Sequence, residues 1–244
     1  PDWLGPDDLS LKIKEIREAT DSQIPIQLKL GAARVYDDVR MALKTNPDSI
    51  YIDGMEGGTG AGPHLATEET GVPGIAAIRQ ARKAFDDLGL SGEISLVYAG
   101  GIRNGADVAK ALALGADAVA IGFSAMMALN CNKDIPEADY QKEMGVDAGY
   151  CYHCHTGRCP VGVATQDPEL RKRLDPDEAA ERVYNFLHCL TIEAQMFARA
   201  CGKTDVHSLE PEDLAALTME ASALAQVPLA GSQHTVGRPD MTRY

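Results

Sequence analysis

The sequence predicts an α/β fold with parallel strands, on three observations. Short apolar runs rich in β-forming residues alternate with longer segments whose apolar residues recur at helical spacing. Strand, helix and strand follow one another at the spacing of right-handed crossovers, which join parallel neighbours. Two glycine-bearing turns lie one strand-helix unit apart, as in the phosphate sites after the last two strands of (β/α)8 barrels. The chain is therefore read as the C-terminal half of a (β/α)8 barrel over residues 1–130, a cysteine-rich cluster loop over 131–165 and a C-terminal helical extension over 166–244.

The clearest unit is Ile94–Phe123. Ile94–Ala99 reads as a strand, Asn104–Leu114 as a helix that Asn104 can cap, and Ala118–Phe123 as a second strand. Gly100 and Gly101, followed by Ile102, come after the first strand, with no Cβ to keep a ligand from the backbone; Gly122 and Phe123 end the second. Free N–H groups at such turns and the positive end of a helix dipole suit an anion such as a phosphate. Either turn alone could simply end a strand; the pair favours a site.

Upstream, Leu9, Ile13, Ile16 and Ala19 mark one face of a helix, Ile24–Leu30 a strand, Arg34–Lys44 a helix and Ser49–Gly54 a strand. A long glycine-rich loop then leads to a helix from Ile75 to Leu88. Lys29 interrupts an otherwise apolar strand near its end. A charge there is costly unless it is paired or points into a polar site. An exposed strand end would explain it too, but the C-terminal ends of barrel strands are where active sites collect.

The formal charge of −13 argues against nucleic acid or an anionic membrane as the main partner, so an anionic ligand must be held locally. No apolar run approaches the ~18 residues of a membrane span, and no signal-peptide pattern opens the chain, which implies a cytoplasmic protein with reduced thiols. The six cysteines are then metal ligands or core residues rather than disulfides. Cys151, Cys154 and Cys159 form a C-x2-C-x4-C run ending at Pro160, with Cys131 upstream. Iron–sulfur ligation and a closed zinc site both fit this spacing. His153 and His155 read as loop hydrogen-bonding groups.

Asp175 and Pro176 start a helix running to about Ala200, with Val183, Phe186, Leu187, Leu190, Ala194, Phe197 and Cys201 as its buried stripe. Cys189 and Cys201 are expected as core thiols, residues 208–226 as a further helix, and the tail from Pro228 as extended.

The segment GGIRNGADVAKALALGADAVAIGF resembles the phosphate-binding end of flavin- and nucleotide-binding barrels, among them glutamate synthase, type 2 isopentenyl-diphosphate isomerase and IMP dehydrogenase. The GGTGA segment, the lysine on the preceding strand and CHTGRCPVGVATQDPELRKR together resemble glutamate synthases, over roughly residues 1–230. That resemblance implies FMN bound by Lys29, by Gly57, Gly58, Thr59 and Gly60 as the loop over the flavin, and by Gly100, Gly101, Ile102, Gly122 and Phe123 as the phosphate site. It gives Lys29 a catalytic role as a cofactor or substrate contact. It further implies an iron–sulfur cluster, 3Fe-4S in the family and 4Fe-4S if four thiolates converge. Cys154 and Cys159 match the family segment directly. Cys131 has the topological place of the third ligand and Cys151 the local spacing, because a stretch absent from the family's pattern separates them.

The implied activity is FMN-dependent reduction of 2-iminoglutarate, formed from 2-oxoglutarate and ammonia, to L-glutamate, with electrons relayed through the cluster. N-methylglutamate synthase, built on the same domain, is the close alternative. An IMP dehydrogenase-like barrel leaves the cysteines unexplained, and a zinc-stapled interaction domain leaves the phosphate turns unexplained. Four strands are visible against the eight of a closed barrel, and the chain opens at Pro1. The expectation is a fragment, inactive alone, whose other half precedes Pro1 or comes from another chain, with glutaminase or reductase subunits as further partners.

Overall fold

The computed structural model describes residues 4–59, 62–131, 141–142, 145, 151 and 153–238. Helix α1 (Pro6–Ala19) precedes four βα units: β1 (Gln27–Gly31) with α2 (Val35–Leu43), β2 (Ser49–Asp53) with the short α3 (His64–Glu69) and α4 (Gly74–Leu88), β3 (Ser95–Ala99) with α5 (Gly105–Ala113), and β4 (Ala118–Ala120) with α6 (Phe123–Ala128). After the cysteine loop come α7 (Pro168–Arg171), α8 (Pro176–Ala200) and α9 (Met219–Ala225). The strands form one parallel sheet in the order β1-β2-β3-β4, each strand beside its neighbour in sequence. This is the α/β strand succession of part of a (β/α)8 barrel.

Alternate residues separate the two faces of the sheet. Leu28, Leu30, Ile50, Ile52, Leu96 and Tyr98 face the helices, where Val35, Val39, Ala77, Ala81 and Phe85 complete the core. The other face carries Lys29, Tyr51, Asp53, Val97 and Ala99 and is only partly covered. Below the sheet, aspartates brace adjacent strands in the same way twice. Asp48 accepts the Ile26 N–H at 2.6 Å, and Asp117 accepts the Leu96 N–H at 2.7 Å while pairing with Arg82 at 2.9 Å.

Several boundaries differ from expectation. The first strand starts at Gln27 rather than Ile24, because Pro25 has no N–H to give the ladder. The last strand stops at Ala120, where the chain turns through Gly122 into α6. The glycine-rich loop contains α3. Residues 208–226 do not form one helix: short 3-10 turns at Val206–Ser208 and Pro211–Asp213 precede an extended segment whose Ala216 bridges to Leu229, and only Met219–Ala225, capped by Thr218, is helical. Pro211 sits at the first position of its turn, where its missing N–H is harmless, and the chain does not continue as a helix beyond it.

Helix α8 begins at Asp175 and Pro176 as expected, with the Asp175 carboxylate accepting the N–H groups of Asp177 and Glu178. Its buried face differs. Ala179, Ala194 and Ala198 are buried, whereas Leu187, Phe197, Cys189 and Cys201 are exposed, so neither thiol is in the core. The cause is the closeness of α5. A Cβ on Gly105 would lie 2.3 Å from Glu193 Cβ and 2.5 Å from the Ala194 nitrogen, and the Gly105 N–H donates to Glu193 Oε2 at 2.7 Å. Only small side chains fit at such a crossing. Among the described residues, no helix is long and apolar enough to cross a membrane.

Gly105→Ala should therefore push α8 off α5 and cost about 2–3 kcal/mol, in the range of overpacked cores. Urea unfolding of the full chain measures it, and a midpoint equal to that of the unsubstituted protein would contradict the packing described.

Candidate active site

Because the strands are parallel, their C-terminal ends all deliver residues to the same end of the sheet. There a cavity of 400 Å³ is lined by Lys29 from β1, Tyr51 and Asp53 from β2, Gly57 and Gly58 from the following loop, Gly100, Gly101 and Ile102 after β3, and Gly122 and Phe123 after β4. The sequence-expected residues thus converge, with two exceptions. Thr59 lines an adjoining cavity of 420 Å³ with Gly57 and Gly58. Gly60 lies outside the described residues.

Lys29 stands one row below the strand ends, in register with Tyr51 and Val97. Its Nζ is 2.8 Å from Asp53 Oδ2 and 4.8 Å from the centre of the Tyr51 ring. The hydrogen bond to Asp53 raises the lysine pKa above its ordinary value, against a smaller opposing effect of burial. Lys29 is therefore an ammonium throughout the neutral range. Its side chain is 59% exposed, so it is both at an open strand end and aimed into the cavity.

The glycines answer to the protein's own packing. Gly100 and Gly101 have φ of +120° and +67°, conformations that side chains resist. An added Cβ would meet the Tyr98 hydroxyl at 2.9 Å from Gly100 and Glu56 Cβ at 2.9 Å from Gly101. Gly57 is constrained by the Asp53 carboxylate, 2.1 Å from where its Cβ would be. Gly122 meets no such obstacle; it gives the turn into α6, whose Ser124 hydroxyl donates to the Ile102 carbonyl at 2.9 Å and so joins the two turns. Arg103, the nearby guanidinium, is paired with Asp107 at 2.9 Å.

The cysteine loop lies one short helix away. Phe123, at the start of α6, lines the barrel-mouth cavity; Met126 of the same helix lines a second, small cavity of 20 Å³ with Cys131, Cys151, Cys154 and Cys159. Cys159 is buried, Cys131 and Cys151 are half-buried and Cys154 is exposed; none is in a disulfide. Burial pushes the Cys151 thiol up, reinforced by Cys154 and Cys159 nearby. The loop is held by Arg173 on the Pro160 carbonyl at 2.9 Å and by Asp167, which caps α7. His153 bonds the Thr156 hydroxyl at 3.2 Å. Four cysteines among the lining of one small cavity are a donor set whose chemistry suits thiolate ligation. Yet among the described residues no group of three or more Cys, His, Asp or Glu side chains is close enough to hold a metal ion.

Sequence reasoning missed Asp53, Tyr51, Glu56 and Tyr98. Asp53 carries the same signal that singled out Lys29, a charge ending an apolar strand.

The fold is that of part of a (β/α)8 barrel, with a glycine-lined cavity at its strand ends. Residues 2–204 match the family described as a conserved region in glutamate synthase, and the chain belongs to that family. It is 54% identical over 238 residues to a glutamate synthase large subunit-like protein of Rhizobium meliloti (strain 1021), covering 98% of this chain and 54% of that protein. It is 38% identical over 209 residues to the archaeal glutamate synthase (NADPH) of Methanocaldococcus jannaschii, covering 85% of this chain and 38% of that protein. The chain thus spans about half the length of the first relative and just over a third of the second. Among solved structures, a mutant flavocytochrome b2 with pyruvate bound aligns with a TM-score of 0.49 at 20% identity, covering 84% of this chain and 38% of that one.

Asp53→Asn should replace the charge-assisted hydrogen bond that raises the Lys29 pKa with a weaker neutral one, so the amine would deprotonate at lower pH. The rate of Lys29 acetylation against pH, read by mass spectrometry, should shift toward lower pH in the variant. Superimposable profiles would remove Asp53 as the controlling partner.

Proposed function

We propose that this chain carries the FMN-binding strand ends and cluster loop of a glutamate synthase-type oxidoreductase. One observation supports it most: in a chain of this family, Lys29 and the glycine turns after three successive strands line one cavity, with four cysteines collected one short helix beyond it. FMN, when bound, supplies hydride transfer to 2-iminoglutarate formed from 2-oxoglutarate and ammonia. The turns at Gly100–Ile102 and Gly122–Phe123 hold its phosphate through backbone N–H groups, because a chain of formal charge −13 has no broad positive field to do so. Lys29 keeps its ammonium at the strand ends and stabilises negative charge on the flavin or a substrate carboxylate. Asp53 holds that ammonium in place until such an anion competes for it.

In this reading Cys154, Cys159 and Cys131 hold a 3Fe-4S cluster, with Cys151 as an added or alternative ligand and a 4Fe-4S cluster if all four engage. Between the two sets of residues lies α6, six residues or about 9 Å of helix, a span that would suit electron relay between groups held there. The remaining barrel strands come from residues outside this chain or from another subunit, since the outer edges of β1 and β4 have no partner strand among the described residues. A cytoplasmic setting and association with glutaminase or reductase subunits belong to the same reading.

The test is anaerobic purification of this chain together with the residues or subunit that complete the barrel. Expected are flavin absorption bands with a broad brown shoulder, L-glutamate from 2-oxoglutarate, ammonium and a reductant, and loss of cluster iron and its paramagnetic signal in Cys154→Ser and Cys159→Ser. Product only when glutamate and methylamine are supplied would reassign the protein to N-methylglutamate synthesis. A colourless protein containing zinc would end the proposal.

A further inference from the structure

Tyr98 lies in β3 with its ring packed between sheet and helices, 4% exposed, and its hydroxyl reaches the turn that follows the strand. The hydroxyl is 3.0 Å from the Gly100 carbonyl oxygen and 3.3 Å from Glu56 Oε2. Burial, with the Glu56 carboxylate beside it, raises its pKa, so it stays a protonated donor. Glu56 in turn accepts the Gly74 N–H on both carboxylate oxygens at 3.1 Å each. Gly74 is the first residue of α4, whose cap position is held by Pro73 without any side-chain cap of its own. The carboxylate therefore caps α4 from the glycine-rich loop, where an anion is favoured by the helix dipole.

One hydroxyl and one carboxylate thus tie together the loop after β2, the start of α4 and the turn after β3. Glycines clear the space they occupy. A Cβ on Gly74 would stand 1.8 Å from the Tyr98 hydroxyl, and one on Gly54 2.6 Å from it.

We propose that Tyr98, held by Glu56, is a positioning residue for the phosphate turn. The proposal rests on the FMN reading above. A peptide unit is planar and trans, so its carbonyl and N–H point in opposite directions. Drawing the Gly100 carbonyl toward Tyr98 aims the Gly101 N–H to the other side, and that N–H donates to no group among the described residues; Tyr98 lines the cavity behind the turn and not the barrel mouth, which Gly101 also lines. Two consecutive glycines would otherwise let this peptide flip at little cost and present an oxygen to the phosphate. The hydroxyl removes that freedom. Tyr98 does not line the barrel-mouth cavity; it acts through the orientation of one peptide.

The test compares FMN with riboflavin, which lacks the phosphate, by fluorescence titration of the chain assembled with the residues or subunit that complete the barrel. Tyr98→Phe keeps the ring and removes only the hydroxyl; it should weaken FMN about tenfold, the worth of one hydrogen bond to a charged ligand's site, and leave riboflavin unchanged. Glu56→Gln keeps an acceptor for the Gly74 N–H, and its Nε2 can donate to the Tyr98 hydroxyl, which stays free to donate to the Gly100 carbonyl, so its FMN affinity should stay within about threefold of the unsubstituted chain. Should Tyr98→Phe not fold, Glu56→Ala carries the same expectation of an FMN-selective loss. Unchanged FMN affinity in Tyr98→Phe, or equal losses for both flavins, would overturn the positioning role while leaving the FMN reading intact. Failure of the unsubstituted chain to bind FMN would overturn both.

Discussion

Parallel pairing in chain order is the constraint on which the rest of this structure depends. Four strands, each hydrogen-bonded to the next in sequence, place Gly31, Asp53, Ala99 and Ala120 in one row. Every loop that leaves the sheet at that end must then start beside its neighbour. The glycine-rich loop, the Gly100–Gly101 turn and the Gly122 turn meet for this reason, although they are far apart in sequence. Had the strands been antiparallel, alternate loops would have gone to opposite ends and no cavity would have formed.

The cavity combines stiffness with sparse charge. Its glycines are not slack: their missing side chains make room for Tyr98, Glu56 and Asp53, which are hydrogen-bonded to the backbone or to Lys29. The two cations near the site are each matched to an acid, Lys29 to Asp53 and Arg103 to Asp107. Binding of an anion therefore falls to backbone N–H groups, whose direction is set by peptide geometry instead of by net charge. In the proposed reading, this is how a strongly acidic chain would offer a phosphate site.

Much of this was legible in the sequence because it is local. The βαβ unit, the Asn104 and Asp175 caps and the succession of four strands follow from periodicity and capping chemistry within short windows, and Lys29 stood out as a charge in an apolar strand. What was not legible depends on distant neighbours. Glu56 and Tyr98 are 42 residues apart and neither is unusual in its own segment. The face of α8 was misjudged for the same reason: large apolar residues were expected inside, but Gly105 of α5 brings the backbones so close that alanines are buried and Leu187 and Phe197 are left outside. Over residues 208–226 helical composition gave way to tertiary pairing, as Ala216 bridges to Leu229 instead.

The Gly100–Gly101 turn is open on two sides, since a cavity of 470 Å³ between α4 and α5 lies behind it and shares Glu56, Gly100 and Gly101 with the barrel mouth. Which side takes the phosphate is the central question. A crystal structure of the chain with the residues or subunit that complete the barrel, and FMN, answers it most directly. The account predicts the phosphate within hydrogen-bonding distance of the Gly101 N–H on the barrel-mouth side, with the flavin extending toward Lys29. A phosphate seated between α4 and α5, or a flavin bound away from both glycine turns, would contradict it.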